Sequence, residues 1–192
     1  TLPINNLTGT LPSEIGNLSS LSALEIDGND MSGNLPQELS QLENLNTFTI
    51  EHNNFEGDLP NMSASFSGSS ASSRFVISDN KFRFIDIEED ISYLNSYTHV
   101  LGGQEDIDDE EYVTVAEGDS YTFTVFEDNY YSQNNIYQWT KGSSSQTGVI
   151  ITGATSRTYT INNVTMADAG DYYCRVTNSI VQENRLRLFR NI

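Results

Sequence analysis

The chain has 192 residues, of which 27 are acidic and 9 basic, giving a formal net charge of −18. So acidic a surface repels nucleic-acid phosphates and anionic membranes, and neither is expected as a partner. There is no apolar run of about 18 residues to span a membrane. The single cysteine, Cys174, excludes a disulfide within the chain and reads as a small buried apolar side chain.

The first eighty residues repeat. Asn5-Asn6-Leu7-Thr8-Gly9-Thr10-Leu11-Pro12 returns as Asn29-Asp30-Met31-Ser32-Gly33-Asn34-Leu35-Pro36 and again as Asn53-Asn54-Phe55-Glu56-Gly57-Asp58-Leu59-Pro60, at a spacing of 24 residues both times. Asn80-Lys81-Phe82 starts the unit once more after 27. Before each asparagine runs the same frame: Leu21-x-x-Leu24-x-Ile26-x-x-Asn29, Leu45-x-x-Phe48-x-Ile50-x-x-Asn53, and a degenerate Phe75-x-Ile77-x-x-Asn80. Alternating apolar residues predict a short strand with one buried face. The recurring asparagine can turn the chain while its amide satisfies backbone groups of neighbouring coils. Pro12 and Pro36 suit the starts of short helical pieces over Ser13–Leu18 and Gln37–Leu42. One such coil cannot bury its own apolar face, so copies must stack.

Residues 1–83 resemble the leucine-rich repeat family, in the plant-type subclass that places L-x-G-x-(I/L)-P after the asparagine. The third copy departs from the pattern: Asn61–Ser73 is Ser-rich and longer, which reads as a fraying end. The resemblance implies parallel strands lining a concave face that binds protein. Ala23, Glu25, Asp27, Thr47, Thr49, Glu51, Arg74, Val76 and Ser78 are the positions expected to face solvent there, with Glu25, Asp27, Thr49 and Glu51 the candidate binding residues.

After Asn80 the pattern changes. Glu88–Val100 reads as a cap on the last coil, with Phe82, Phe84, Tyr93 and Tyr97 expected to stiffen the junction. Gly102-Gly103 and the acids of Glu105–Glu111 read as a linker. Asp106, Asp108 and Asp109 are calcium candidates, because a hard cation needs several converging oxygens. No known loop motif orders them, and a solvated acidic linker is the plainer reading.

Seven β-rich segments then follow, at Tyr112–Val115, Tyr121–Phe126, Ile136–Thr140, Val149–Ile151, Arg157–Ile161, Tyr172–Thr177 and Arg185–Phe189, separated by turn residues. Such spacing predicts an antiparallel sandwich. Asp168-Ala169-Gly170-Asp171-Tyr172-Tyr173-Cys174 resembles the D-x-G-x-Y-x-C motif of immunoglobulin domains, and Trp139 stands where their core tryptophan belongs. Gly118-x-x-x-x-Phe123-x-Val125 is similar to their strand-B pattern, with Val125 at the cysteine position. The resemblance implies a tyrosine corner at Tyr172 and a sandwich without its disulfide, in which Val125, Trp139 and Cys174 pack together. Ile151-Thr152-Gly153-Ala154-Thr155-Ser156-Arg157-Thr158-Tyr159-Thr160-Ile161 is similar to immunoglobulin-like modules of large secreted bacterial proteins.

The expected architecture is therefore two domains. Residues 1–101 form a short α/β leucine-rich-repeat solenoid with a C-terminal cap, 102–111 an acidic linker, and 112–192 an all-β immunoglobulin-like sandwich. No G-x-S-x-G, H-E-x-x-H, Walker A or dinucleotide string occurs, so no catalytic role and no cofactor are expected. The reading is a protein-recognition or adhesion module, extracellular or on a cell surface, acting as a monomeric piece of a longer chain. Its ligand would be a protein or a glycan. Tyr130 and Tyr131, in the loop after the second strand, are further candidate binding residues because such rings give rigid contact area. The alternatives are a structural spacer that displays another domain and a carbohydrate-binding accessory module. Asn6, Asn17, Asn61 and Asn163 lie in N-x-S/T strings and would be glycan acceptors in a eukaryotic secretory pathway.

Overall fold

A computed structural model describes residues 2–66, 73–89, 98–105, 111–128, 130–142, 148–181 and 186–191, with the backbone course alone for 98–100, 111 and 186–191. The chain divides into two compact units, Thr1–Glu105 and Asp106–Ile192.

In the first unit the alternating apolar residues form strands β1 (Thr8–Gly9), β2 (Ala23–Glu25), β3 (Asp30–Asn34), β4 (Thr47–Thr49), β5 (Asn54–Glu56), β6 (Arg74–Val76) and β7 (Thr98–Val100). They make two sheets, ordered β2-β4-β6-β7 and β1-β3-β5. Every pairing is parallel. The register joins Leu24 to Phe48, Phe48 to Phe75 and Phe75 to His99, so the chain returns to the same place after each coil. Short 3₁₀ helices at Ser13–Asn17 and Gln37–Gln41 follow Pro12 and Pro36, which are extended residues just outside the helix rather than its first members. The pieces close as 3₁₀ turns, which suits runs this short.

The apolar frame fills the space between the sheets. Leu39, Leu42, Leu45, Phe48, Ile50, Phe55, Phe75 and Ile77 are fully buried. At the described start of the third coil's irregular segment, α1 (Ser63–Phe66) is packed: Met62 and Phe66 are buried, and the Phe66 ring meets Phe75 edge-on at 5.7 Å. α2 (Phe84–Ile87) buries Phe84 and Ile87 in turn. The residues 67–72 of that coil, and Tyr93 and Tyr97, lie outside the described ones.

The repeated asparagines link coil to coil. Asn53 donates from Nδ2 to the carbonyls of Ile26 (3.0 Å), Ile50 (3.1 Å) and Glu51 (3.2 Å), and its Oδ1 accepts from the Met31 amide at 3.1 Å. Asn29 and Asn80 make the equivalent bonds. Buried amides so fully paired hold the coils at fixed spacing. The residue before each ladder position is left-handed: Ile4, Gly28, His52, Asp79 and Gly103 have φ of 53, 64, 55, 53 and 73°.

Gln104 extends this ladder. It donates to the carbonyls of Ile77 (2.9 Å) and Leu101 (2.8 Å) and accepts from the Phe82 amide (3.0 Å). The Glu105 amide donates to Asn80, and the Asp79 amide to the Gly102 carbonyl. Residues 102–105 therefore belong to a further coil, and the linker expected over 102–111 starts no earlier than 106. Gly103 is required there: besides its positive φ, a Cβ would overlap the Asp79 carboxylate.

The second unit carries β8 (Glu111–Tyr112), β9 (Tyr121–Thr124), β10 (Asn135–Lys141), β11 (Val149–Ile150), β12 (Thr158–Ile161), β13 (Asp171–Asn178) and β14 (Leu186–Asn191). Six of the expected segments carry a strand over most of their described length, whereas of Tyr112–Val115 only Tyr112 does; the sheets are ordered β11-β10-β13-β14-β8 and β12-β9. β8 joins β14 in parallel; the other pairings are antiparallel. Trp139 and Cys174 face each other in register, and both are fully buried, as is Val125. The ring of Phe123 lies 4.7 Å from Tyr172, 5.4 Å from Trp139 and 5.9 Å from Tyr159. Aromatic packing thus fills the place a disulfide would occupy. The indole of Trp139 donates to the Ser156 carbonyl at 3.0 Å. The Tyr172 hydroxyl donates to the Asp168 carbonyl at 2.8 Å, which is the expected tyrosine corner.

Candidate functional site

Parallel register arranges the strand residues of the first unit in rows. Ala23, Thr47, Arg74 and Thr98 are neighbours in one row, and Glu25, Thr49, Val76 and Val100 in the next. Asp27, Glu51 and Ser78 follow two residues further along each strand. Adjacent strands lie ~4.8 Å apart, and four residues along a strand span ~13 Å. The face thus has an acidic margin at Asp27 and Glu51 and a basic side chain at Arg74 near the opposite end.

The coils orient these acids. The Thr49 hydroxyl donates to Asp27 Oδ1 at 3.2 Å, and the Ser78 hydroxyl donates to Glu51 Oε2 at 3.2 Å. Each carboxylate is steadied by a hydroxyl of the following coil, which lowers the freedom lost when a ligand docks. Glu25, Asp27 and Glu51 are partly exposed and Arg74 is exposed. Thr49, Val76 and Ser78, expected at the solvent, are buried instead, with 3, 2 and 5% exposure. For Thr49 the cause is its place between flanking strands and its bond to Asp27, so it positions an acid rather than meeting a ligand.

His52 and Asp79 occupy successive left-handed positions beside this face, with His52 Nδ1 3.1 Å from Asp79 Oδ2. Both are well exposed, so the pair is weak. Among the described residues no group of three or more histidine, cysteine or carboxylate side chains could hold a metal. The calcium candidates Asp106, Asp108 and Asp109 lie outside the described residues.

In the second unit the two tyrosines part. Tyr130 is 37% exposed, whereas Tyr131 stacks on Phe126 at 6.1 Å and takes the Arg157 guanidinium over its ring at 4.6 Å. Tyr131 therefore serves the sandwich. The loop is fixed by Asn178, a turn residue outside the expected binding set. Buried Asn178 donates to Ser132 Oγ (3.2 Å) and Asn135 Oδ1 (3.1 Å) and accepts from the amides of Ile180 (2.8 Å) and Val181 (3.0 Å). Its position after a long strand, at a turn, is the one signal that could have marked it.

Burial pushes the Cys174 thiol up to about 12, so it is neutral and unreactive at ordinary pH. The Asp168 carboxyl is held below its usual range by the Thr165 hydroxyl (2.7 Å) and then by the Thr165 amide (2.9 Å). Both groups serve the sandwich.

No helix among the described residues is long and apolar enough to cross a membrane. A search of curated proteins returned no match. Solved structures similar to this chain include PEPR1–AtPEP1, at 22% identity and a TM-score of 0.44 over 58% of this chain and 15% of that one. The BIR2 ectodomain of Arabidopsis thaliana is similar at 27% identity and a TM-score of 0.38, over 43% of this chain and 42% of that one. The N-terminal four Ig domains of Dscam1 isoform 8.4 are similar at 19% identity and a TM-score of 0.31, over 50% of this chain and 27% of that one. The scores are low, and none of these likenesses bears on function. The chain spans well under two thirds of each of these proteins. Within the second unit, residues 107–178 match the immunoglobulin domain family.

Proposed function

We propose that this chain is a non-catalytic recognition module of a secreted or cell-surface protein, which takes a protein ligand on the face formed by β2, β4 and β6. The observation that carries the reading is the ordered charge on that face. Asp27 and Glu51 are steadied by hydroxyls of the next coil, and Arg74 stands exposed and separate from them. A steadied acidic margin opposite a base selects a ligand by the order of its charges, which suits a folded protein or peptide better than a neutral sugar. The Asn ladder supports it, because a rigid scaffold holds such a face to one geometry. The immunoglobulin match supports a recognition or display role for the second unit, although that fold serves many functions. A glycan site is less well supported, since Tyr131 is committed to Phe126 and Arg157. The leucine-rich-repeat character of the first unit and a bacterial surface origin are part of the same proposal, and rest on the repeat frame and the Ile151–Ile161 stretch.

The test is a binding screen of the intact chain against parallel panels of extracellular proteins and of glycans. The chain with Glu25, Asp27 and Glu51 all changed to lysine serves as the paired control. The proposal expects protein binding that the triple variant loses at least tenfold. Binding confined to glycans, or protein binding that the triple variant retains in full, would overturn it.

A further inference from the structure

The two-stranded sheet of β9 and β12 has an open edge. The Val125 amide donates to the Arg157 carbonyl at 3.1 Å. Antiparallel pairs alternate between bonded and unbonded, so this bond sets the phase. Tyr159 opposite Phe123 and Ile161 opposite Tyr121 then exchange backbone bonds, whereas Thr158 opposite Thr124 and Thr160 opposite Thr122 do not. The hydroxyls of Thr122 and Thr160 stand 2.8 Å apart, which fits the closer approach of an unbonded pair. The N–H and C=O groups of Thr158 and Thr160 therefore point away from β9, and no described residue bonds them.

A hollow of about 290 Å³ is lined by residues 152–156 and by Thr158, Tyr159 and Thr160 of that strand. Thr152, Thr155, Ser156, Thr158 and Thr160 are exposed and uncharged. In a chain with 27 acids, none stands between Asp128 and Asp168. The two bases of that stretch are engaged elsewhere. Lys141 donates to the Ala167 carbonyl at 2.7 Å, and Arg157 to the Phe126 carbonyl at 2.9 Å while covering the Tyr131 ring. Edge strands are commonly guarded by a lysine, a proline or a bulge. Thr158–Ile161 carries none of these, and its register with β9 runs without a break.

We infer that the free edge of β12 takes an extended, uncharged peptide segment of a partner protein as an added strand. The edge offers a donor and an acceptor together at every second residue, ~7 Å apart, and an extended backbone is the chemistry that matches this repeat. Partner side chains turned to solvent would stand beside Thr158 and Thr160, which suits threonine. Those turned inward would meet Ala154 and the partly exposed Tyr159, which suits a small apolar residue. A sugar ring does not repeat at that spacing and would leave part of the edge unbonded. A second folded copy is also the poorer fit, because it would bring its own residues 152–156 into the same space. This site lies on the second unit and does not rest on the ligand proposed for the first.

The experiment adds a blocked six-residue peptide of alternating threonine and valine to the isotope-labelled intact chain, and reads amide hydrogen exchange. The comparison probes are the same peptide N-methylated on two adjacent central residues, which blocks both its edges, and maltose. The inference expects the Thr158 and Thr160 amides to exchange at least tenfold more slowly with the peptide. The Tyr159 amide, already bonded to β9, should not change, and neither comparison probe should have an effect. Thr160→Pro should weaken binding at least tenfold. It removes an N–H that bonds nothing in the fold, so the variant should keep the parent spectrum elsewhere. Should that variant unfold, the N-methylated peptide still separates strand addition from other binding. No slowing at Thr158 and Thr160, slowing at Thr122 and Thr124 instead, or an equal effect of the N-methylated peptide or of maltose would overturn the inference. Slowing that appears without peptide and grows with protein concentration would also overturn it, in favour of a second copy.

Discussion

Gln104 does for the last coil what Asn80 does for the coil before it. Asn80 accepts from the Phe55 amide at 2.9 Å and donates to the Ile50 carbonyl at 2.9 Å; Gln104 accepts from Phe82 at 3.0 Å and donates to Ile77 at 2.9 Å. The longer side chain reaches the same groups. Asn53→Ala would leave the buried Met31 amide without its Asn53 partner, while the carbonyls of Ile26, Ile50 and Glu51 keep Asn29, Asn80 and the Gly28 amide, and should cost about 2 kcal/mol. Asn5 occupies the first ladder position, but its amide donates only locally, to Pro3, at an exposed site. Asn5→Ala should cost less than about 0.5 kcal/mol. Urea titration of the two variants checks the contrast.

Equivalent leucines in successive coils should differ in the same way. Leu42 is fully buried, and Leu42→Ala should destabilise the protein by about 3 kcal/mol. Leu18 stands one coil earlier and is 50% exposed, so Leu18→Ala should cost under about 1 kcal/mol. Thermal melts of the pair measure it; equal losses would contradict the stacking described.

The alkaline limb of stability should carry the mark of the sandwich core. Burial raises Cys174 from 9.0 to about 12. Burial first, and then Asp168 and Tyr159, raises Tyr172 from 10.0 to about 12. Both groups are neutral when protonated, so the unfolded chain gives up these protons at lower pH than the folded one. Their contribution is whole below pH 9 and is lost between 9 and 12. Denaturant melts across that range should show stability falling, with Cys174→Ser removing the earlier part of the fall. Native Cys174 should also resist thiol reagents at neutral pH and react on unfolding.

Asp168 acts in the opposite sense. Its carboxyl is lowered from 3.8, chiefly by the Thr165 hydroxyl. The stability it lends is present above pH 3.8 and disappears as pH falls through the lower folded value. Thr165→Val removes the hydroxyl while keeping the amide, and should move the Asp168 titration up toward its ordinary value. Carbon-detected titration of the carboxyl reads the shift directly.

Much of the fold could be read from local patterns. The recurrence of Asn29, Asn53 and Asn80 foretold the ladder, because a buried turn amide has few other uses. The Asp168–Cys174 motif and Trp139 foretold the sandwich. The fourth coil was missed because Gln104 replaces asparagine and His99-x-Leu101 dilutes the frame, although its spacing of 24 from Asn80 repeats the period. The candidate site was harder. Strand alternation put Thr49 at the surface, but its burial depends on neighbours 22 or more residues away in sequence, Asp27 among them. Tyr131 is taken up by Arg157, a partner that no local pattern names.

The most direct test of the recognition face is hydrogen exchange of the intact chain, alone and with the protein ligand recovered in the screen. The account predicts new protection over Ala23–Asp27, Thr47–Glu51 and Arg74–Ser78. Protection confined to the immunoglobulin-like unit, or exchange over these strands unchanged at saturating ligand, would contradict it.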